Sequence, residues 1–425
     1  MMKPTVLLAT TSCWYPSARL TAALARAGCS VEAVCPARHP LRKTKSVHRV
    51  HDYRGLTPLY SFTRAIASTQ PDFLISGDDL ATQHLHRLYA REKRNGNADS
   101  GICALIERSL GNPEGFPVVG ARAAFIEVAR KEGLRVPTTQ AIHNTDELKA
   151  WVTRTGLPTV LKANGTSGGD GVRIVHTLTE AERSFKELQA PPLLARALKR
   201  ALIDHDEKLL WPSILRRRSV VNAQTFVAGH EATSTIVCWK GAVLASLHFE
   251  VINKTSSTGH ASVLRLMENA EMSNAVERVV RRLGLSGFYG FDFMLEADTG
   301  NAYLIEINPR STQVGHLSLG AGRDLPAALY AALSGDALQP SPKVTDKETI
   351  ALFPQEWIRD PESPYLRSAH HDIPWEEPEL IRDCVRNSRK QSGWYSRPAR
   401  KPVASEVRSA KSIAAPAERR AVGLD

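Results

Sequence analysis

Residues 289–310 hold the pattern that most constrains the fold. It runs Tyr289-Gly290-Phe291-Asp292-Phe293, a turn at Asp298-Thr299-Gly300, then Leu304-Ile305-Glu306-Ile307-Asn308-Pro309-Arg310. Alternating apolar and polar residues around a glycine turn predict two paired strands, over 289–296 and 302–307, each with two unlike faces. Glu306 and Asn308 are two apart and share a face, and Asp292 reaches that face from the partner strand at a register the short turn allows. Phe291, Phe293, Ile305 and Ile307 supply the opposite, buried face. Two carboxylates and an amide oxygen on one face form the oxygen set that Mg²⁺ takes when it bridges nucleotide phosphates. Arg310 lies just past the strand end, where a guanidinium can meet a transferring phosphoryl group. Each of these residues alone reads as ordinary surface charge; the set does not.

A second signal is Leu161-Lys162-Ala163-Asn164-Gly165-Thr166-Ser167-Gly168-Gly169-Asp170-Gly171. A lysine at the end of a strand meets a loop of four glycines, whose backbone N–H groups can approach phosphates closely. No Gly-Lys-Ser/Thr closes the loop, so it is not a Walker A loop. A plain hairpin turn is its bland competitor, and the apolar strand at 172–175 tilts the balance towards phosphate. The third signal is Gln224-Thr225-Phe226-Val227, followed by Glu231. An extended segment of this kind offers backbone donors and acceptors to an adenine edge, and Glu231 can accept from ribose hydroxyls. Standing alone, this third signal is no stronger than a hairpin with a solvated glutamate.

The bulk of the chain narrows the classes. At 425 residues it exceeds one ordinary core. Short apolar runs exclude a membrane-spanning helix, and the brief run at 6–9 suits a buried strand better than a leader peptide. Six scattered cysteines without a C-x-x-C pair disfavour a disulfide framework or a zinc site, and a reducing cytoplasm fits. The net charge of +11 is concentrated at the end: residues 388–425 hold nine Lys/Arg against three Asp/Glu. A nucleic-acid partner is therefore disfavoured, because the charge sits in an Ala/Pro-diluted tail whose aromatics are confined to Trp394-Tyr395.

Strand, helix, strand, helix, strand over 6–11, 17–28, 31–35, 59–68 and 72–76 is the rhythm of a small parallel α/β unit, taken as 1–112. It lacks a G-x-G-x-x-G, and 96–116 reads as a boundary. A second, α+β unit follows over 118–335. Its helices are predicted at 122–133, 146–155 and 325–333, its strands at 159–163, 172–175, 220–227, 231–239 and 242–251. The stretch 253–265, with Lys254, His260 and Arg265, reads as a loop near an acceptor pocket, and His316 as either a substrate contact or a packed histidine. A proline-rich extension, 340–387, precedes the tail 388–425, too poor in large apolar residues to offset its ordering entropy and read as disordered.

The order lysine strand, glycine loop, hinge strand, Asp strand, Glu-x-Asn-x-Arg strand resembles the ATP-grasp superfamily, over roughly residues 118–330. The resemblance implies an α/β unit with a small parallel sheet followed by a two-lobed α+β ATP-grasp domain. It implies ATP between the lobes, with Lys162, Gly168 and Gly169 on phosphates, Gln224, Thr225, Phe226 and Val227 against adenine, and Glu231 on ribose. Asp292, Glu306 and Asn308 would bind one or two Mg²⁺, with Mn²⁺ as a substitute, and Arg310 with Lys162 would act where an acyl phosphate forms. Many members open the early helix with Asp-Lys. Here Ala121-Arg122 stands there, so Arg122 is the candidate phosphate contact. Gln313-Val314-Gly315-His316 lacks the glutamate of biotin carboxylases, which disfavours bicarbonate activation of that type, and the duplicated half of carbamoyl phosphate synthetases is not found. The expected activity is that of a carboxylate–amine ligase with small-molecule carboxylate and amine substrates, and a homodimer stays open. The rival is a non-catalytic nucleotide-binding regulatory protein.

Overall fold

The structure, a computed structural model, describes residues 3–97, 101–164, 171–190, 218–339 and 341–395. Of the expected phosphate loop, Gly165, Gly168 and Gly169 lie outside the described residues, as does 396–425 of the basic tail.

Four parallel strands open the chain: β1 (Thr5–Ala9), β2 (Ser30–Cys35), β3 (Arg49–Asp52) and β4 (Phe73–Ser76), in the order β3-β2-β1-β4. Alternate residues of β1 feed two cores, as a sheet covered on both faces requires. Val6 and Leu8 pack with Leu20 and Leu24 of the helix Tyr15–Ala27. Leu7 and Ala9 pack with Phe62, Leu85 and Ile106. Ile106 belongs to the helix Gly101–Leu110, in a stretch the sequence assigned to a boundary. Cys103, Ile106 and Leu110 recur at helical spacing and are buried, so apolar packing outweighs the glycines at its edges.

A four-stranded antiparallel sheet follows, made of β5 (Thr139–Ile142), β6 (Thr159–Ala163), β7 (Val172–Val175) and β8 (Val221–Thr225), in the order β5-β8-β6-β7. Helices Thr145–Thr155 and Leu178–Gln189 back it through Leu148, Trp151, Phe185 and Leu161. The chain then enters a seven-stranded sheet of β9 (Gly229–Trp239), β10 (Ala242–Lys254), β11 (Ala261–Met267), β12 (Gly287–Glu296), β13 (Ala302–Asn308), β14 (Thr349–Leu352) and β15 (His370–Asp372). Its order is β13-β12-β9-β10-β11-β14-β15. The stretch 253–265 is therefore a loop only over 255–260: β10 runs to Lys254 and pairs back on β11 from Ala261. The extension after residue 340 adds two strands to the same sheet.

Unlike faces of β12 and β13 arise from what each face meets. Phe291, Phe293, Leu304 and Ile307 are buried against helices Arg122–Lys131 and Ala270–Leu283, through Phe125, Ile126, Val276, Val279 and Val280. The polar residues are thereby turned to the other side, towards the small sheet. Among the described residues no helix is long and apolar enough to cross a membrane.

Candidate active site

The pairing of β12 with β13 sets Asp292 directly opposite Glu306, and Gly290 opposite Asn308. A Cβ at Gly290 would stand 2.5 Å from Thr312 Cγ2, so a side chain there requires Thr312 to shift. A register irregularity follows Asp292, so that Leu304 rather than Ile305 faces Phe293. Strict alternation therefore fails at Ile305, which lines the cleft beside Glu306 instead of joining the buried face. Asp292 accepts from Thr233 Oγ1 at 3.0 Å and from Asn308 Nδ2 at 2.9 Å.

These side chains look into a cleft of about 310 Å³ between the small and the large sheet. Lys162, Gln224, Thr225, Phe226, Val227 and Glu231 line it together with Arg122, Asp292, Glu306, Asn308 and Arg310. Residues 225–229 carry the chain from one sheet to the other. Gln224 itself is buried and donates to Thr139 Oγ1 at 3.0 Å, whereas Phe226 after it is exposed. Glu231 accepts from Lys254 Nζ at 2.6 Å. Arg122 donates to Glu306 Oε1 at 2.7 Å and to the Ala163 carbonyl at 2.6 Å.

Trp14, Asp79, Lys254, His260, Thr312 and Gln313 also line the cleft, so Lys254 and His260 of the expected acceptor stretch are on it, while Trp14 and Asp79 come from no sequence motif. In the order β3-β2-β1-β4 the sheet reverses direction between β1 and β4, and ligands of open α/β sheets gather outside the carboxyl ends of strands at such a reversal. Residues 10–14 and 77–79 leave these two strands side by side. Asp78 ties them together, accepting from Thr10 Oγ1, Thr11 N, Thr11 Oγ1 and Ser12 N at 2.6 to 3.1 Å. The end of β13 docks on the same spot: Ser311 N donates to the Ser76 carbonyl, and Thr82 Oγ1 to the Pro309 carbonyl. Arg310 is thereby held with its Nε 3.2 Å from Asp79 Oδ1 and its guanidinium carbon 5.2 Å from the centre of the Trp14 ring.

Burial dominates the electrostatics. It pushes Asp292 up to about 6, with the Glu306 charge adding to the effect. Burial would raise Glu306 too, but Arg122 and Lys162 outweigh it and hold Glu306 below its usual value. Lys162 is pulled down by desolvation, against the attraction of Glu306. Asp292 facing Glu306, beside the amide oxygen of Asn308, fits a hard divalent cation. Two carboxylates make no all-protein cage, so the set suits an ion that also keeps phosphate ligands.

Two other candidates stand elsewhere. Arg265 pairs with Glu250 at 3.4 Å and does not line the cleft. His316 is buried with its Nε2 2.8 Å from Asp372 Oδ2, in a cluster with Arg19, and is packed rather than facing the cleft.

A family model described as ATP-grasp domain matches residues 122–314. The carbamoyl phosphate synthase large chain of Thermus thermophilus is 25% identical over 297 residues, covering 65% of this chain and 27% of that relative. The chain thus spans about a quarter of that relative's length. The biotin carboxylase domain of the Hydrogenobacter thermophilus 2-oxoglutarate carboxylase, solved with MgADP, ADP and bicarbonate, superposes with a TM-score of 0.56 at 16% identity, over 80% of this chain and 72% of that one. N5-Carboxyaminoimidazole synthetase from Staphylococcus aureus, solved with ADP, gives 0.55 at 14% identity over 80% of each chain. At these identities the structural likeness is one of fold. With the family match over the cleft-forming segment, it marks residues 122–314 as an ATP-grasp domain.

Proposed function

We propose that the chain is an ATP- and Mg²⁺-dependent ligase that activates a carboxylate as an acyl phosphate for attack by an amine or a similar nucleophile. The observation that carries this reading is the convergence of Asp292, Glu306, Asn308, Lys162 and Arg310 on one cleft. In the first step a carboxylate oxygen attacks the γ-phosphorus and ADP leaves. In the second, the nucleophile attacks the acyl carbon, inorganic phosphate leaves and a proton is released. Mg²⁺ held by Asp292, Glu306 and Asn308 would neutralise charge on the phosphate oxygens. Lys162 meets the phosphates from the small sheet, and residues 224–227 with Glu231 take the nucleoside. Arg310, braced by Asp79 and Trp14, faces the acceptor end, where a carboxylate would lie close to the transferring phosphoryl group.

Screening pools of carboxylates and amines for ADP release, with mass detection of the product, tests this reading. ADP formation that no carboxylate stimulates would remove it. The second reading, nucleotide binding without turnover, draws on the ion pair of Arg122 with Glu306, which engages a carboxylate the cation would use. Carboxylate-stimulated turnover separates the two. Lys162→Ala should weaken ATP binding by about 1–3 kcal/mol, the scale of a lost hydrogen bond to a charged group. Titration calorimetry reads it, and an unchanged affinity would take Lys162 off the phosphates.

A further inference from the structure

Arg122 opens the helix Arg122–Lys131, and its guanidinium bridges two sheets. One acceptor, Glu306, belongs to β13; the other, the carbonyl of Ala163, is the end of β6. The fork is not fully used, because Arg122 Nε is buried and has no hydrogen-bond partner among the described residues. Asp292, opposite Glu306, meets a hydroxyl and an amide, whereas the cation touching this carboxylate pair is Arg122. Lys162 adds a second positive charge to the same surroundings.

We infer that Arg122 is an internal counter-ion that closes Glu306 to a free divalent cation and yields it to a cation arriving with nucleotide phosphates. The inference rests on the reading of Asp292, Glu306 and Asn308 as the cation's ligands. A bare dication approaching Glu306 meets Arg122 and Lys162 and must displace a charge-assisted hydrogen bond with nothing offered in return. A cation carrying a polyphosphate brings oxygen acceptors that match the guanidinium fork, so Arg122 exchanges one anion for another. Metal and nucleotide then bind with positive coupling, and each raises the affinity for the other by the same factor. A lysine has no fork with which to hold Ala163 and Glu306 together, which gives the arginine at this position a distinct task.

Binding of Mn²⁺ to the full chain, followed by water-proton relaxation, tests this without turnover. Wild type should bind Mn²⁺ alone weakly, and Arg122→Ala should bind it about tenfold more tightly, the scale of a lost partner beside a metal ligand. Arg122→Gln keeps the stem and a donor for Ala163, so a matching gain in that variant shows that charge removal is responsible. Thermal melts identify any variant that has lost its fold, and the folded one decides. Equal affinity for Mn²⁺ alone in wild type and in the folded Arg122 variants overturns the counter-ion. Adding β,γ-imido-ATP separates this from failure of the ligand assignment. Glu306→Gln should abolish the nucleotide-dependent Mn²⁺ signal. If that signal persists in Glu306→Gln, the assignment of Glu306 falls, and the counter-ion with it.

Discussion

Glu306→Gln is expected to lower ATP turnover by about a thousandfold or more while leaving the fold intact. Amide for carboxylate preserves volume and hydrogen-bonding shape but deletes the charge facing Asp292, Arg122 and Lys162. Electrostatic stabilisation by a bound cation is worth several kcal/mol in phosphoryl chemistry, and each ~1.4 kcal/mol is a factor of ten in rate. The loss should appear in kcat and in kcat/KM together, because the cation's charge matters most as negative charge shifts between phosphate oxygens. Circular dichroism and thermal melting should be little changed, since Glu306 lies on the cleft side of β13 and not in its core. Wild-type turnover with unaltered Mg²⁺ dependence in this variant would remove the central chemical claim.

Asp372→Ala is expected to destabilise the fold by about 3–5 kcal/mol, the cost of stranding a buried charge. Asp372 accepts from Arg19 Nη2 at 2.6 Å and from His316 Nε2 at 2.8 Å, and all three side chains are largely buried. Arg19 also donates to the Asp372 carbonyl, so the cluster fastens β15 to the first helix. Burial would raise the Asp372 carboxyl, but His316 and the permanent charge of Arg19 hold it well below the usual carboxylate range. Its stabilisation is therefore complete above the ordinary aspartate value of 3.8 and is lost as pH falls below it, because the unfolded chain then takes up a proton that the folded one refuses. Urea denaturation from neutral pH downwards should show a steeper acid limb in wild type than in Asp372→Asn. Coincident limbs would mean that the carboxylate is not the group being titrated.

The strand pair β12–β13 was legible because two-residue alternation and a glycine turn are local signals. So were Lys162 on its strand and the first helix with its glycine stop. What escaped was non-local. Nothing in spacing announces that Arg122 meets Glu306 across 184 positions, or that Asp372 locks His316 into the core. Ile305 was misplaced because one register irregularity after Asp292 reverses the face it shows. Trp14 and Asp79 carry no motif, and only the order of the parallel strands, which a sequence does not state, brings them beside Arg310. The stretch 253–265 read as a loop because its serines, threonines and glycine mask the edges of β10 and β11.

The way β14 continues the large sheet bears on how this chain can be cut and recombined. β11 lends one edge to β10 and the other to β14, with Val263 opposite Ala351 and Leu264 opposite Ile350. A fragment of residues 122–314 would leave that second edge bare, exposing backbone N–H and C=O groups between apolar side chains, a template for aggregation. It would also lack Asp79 and Trp14, so Arg310 would swing without its braces. Chimeras that graft this cleft onto another scaffold must carry residues from β1 through β15 as one cassette. The transplantable piece is set by the continuity of a sheet rather than by the span of a motif.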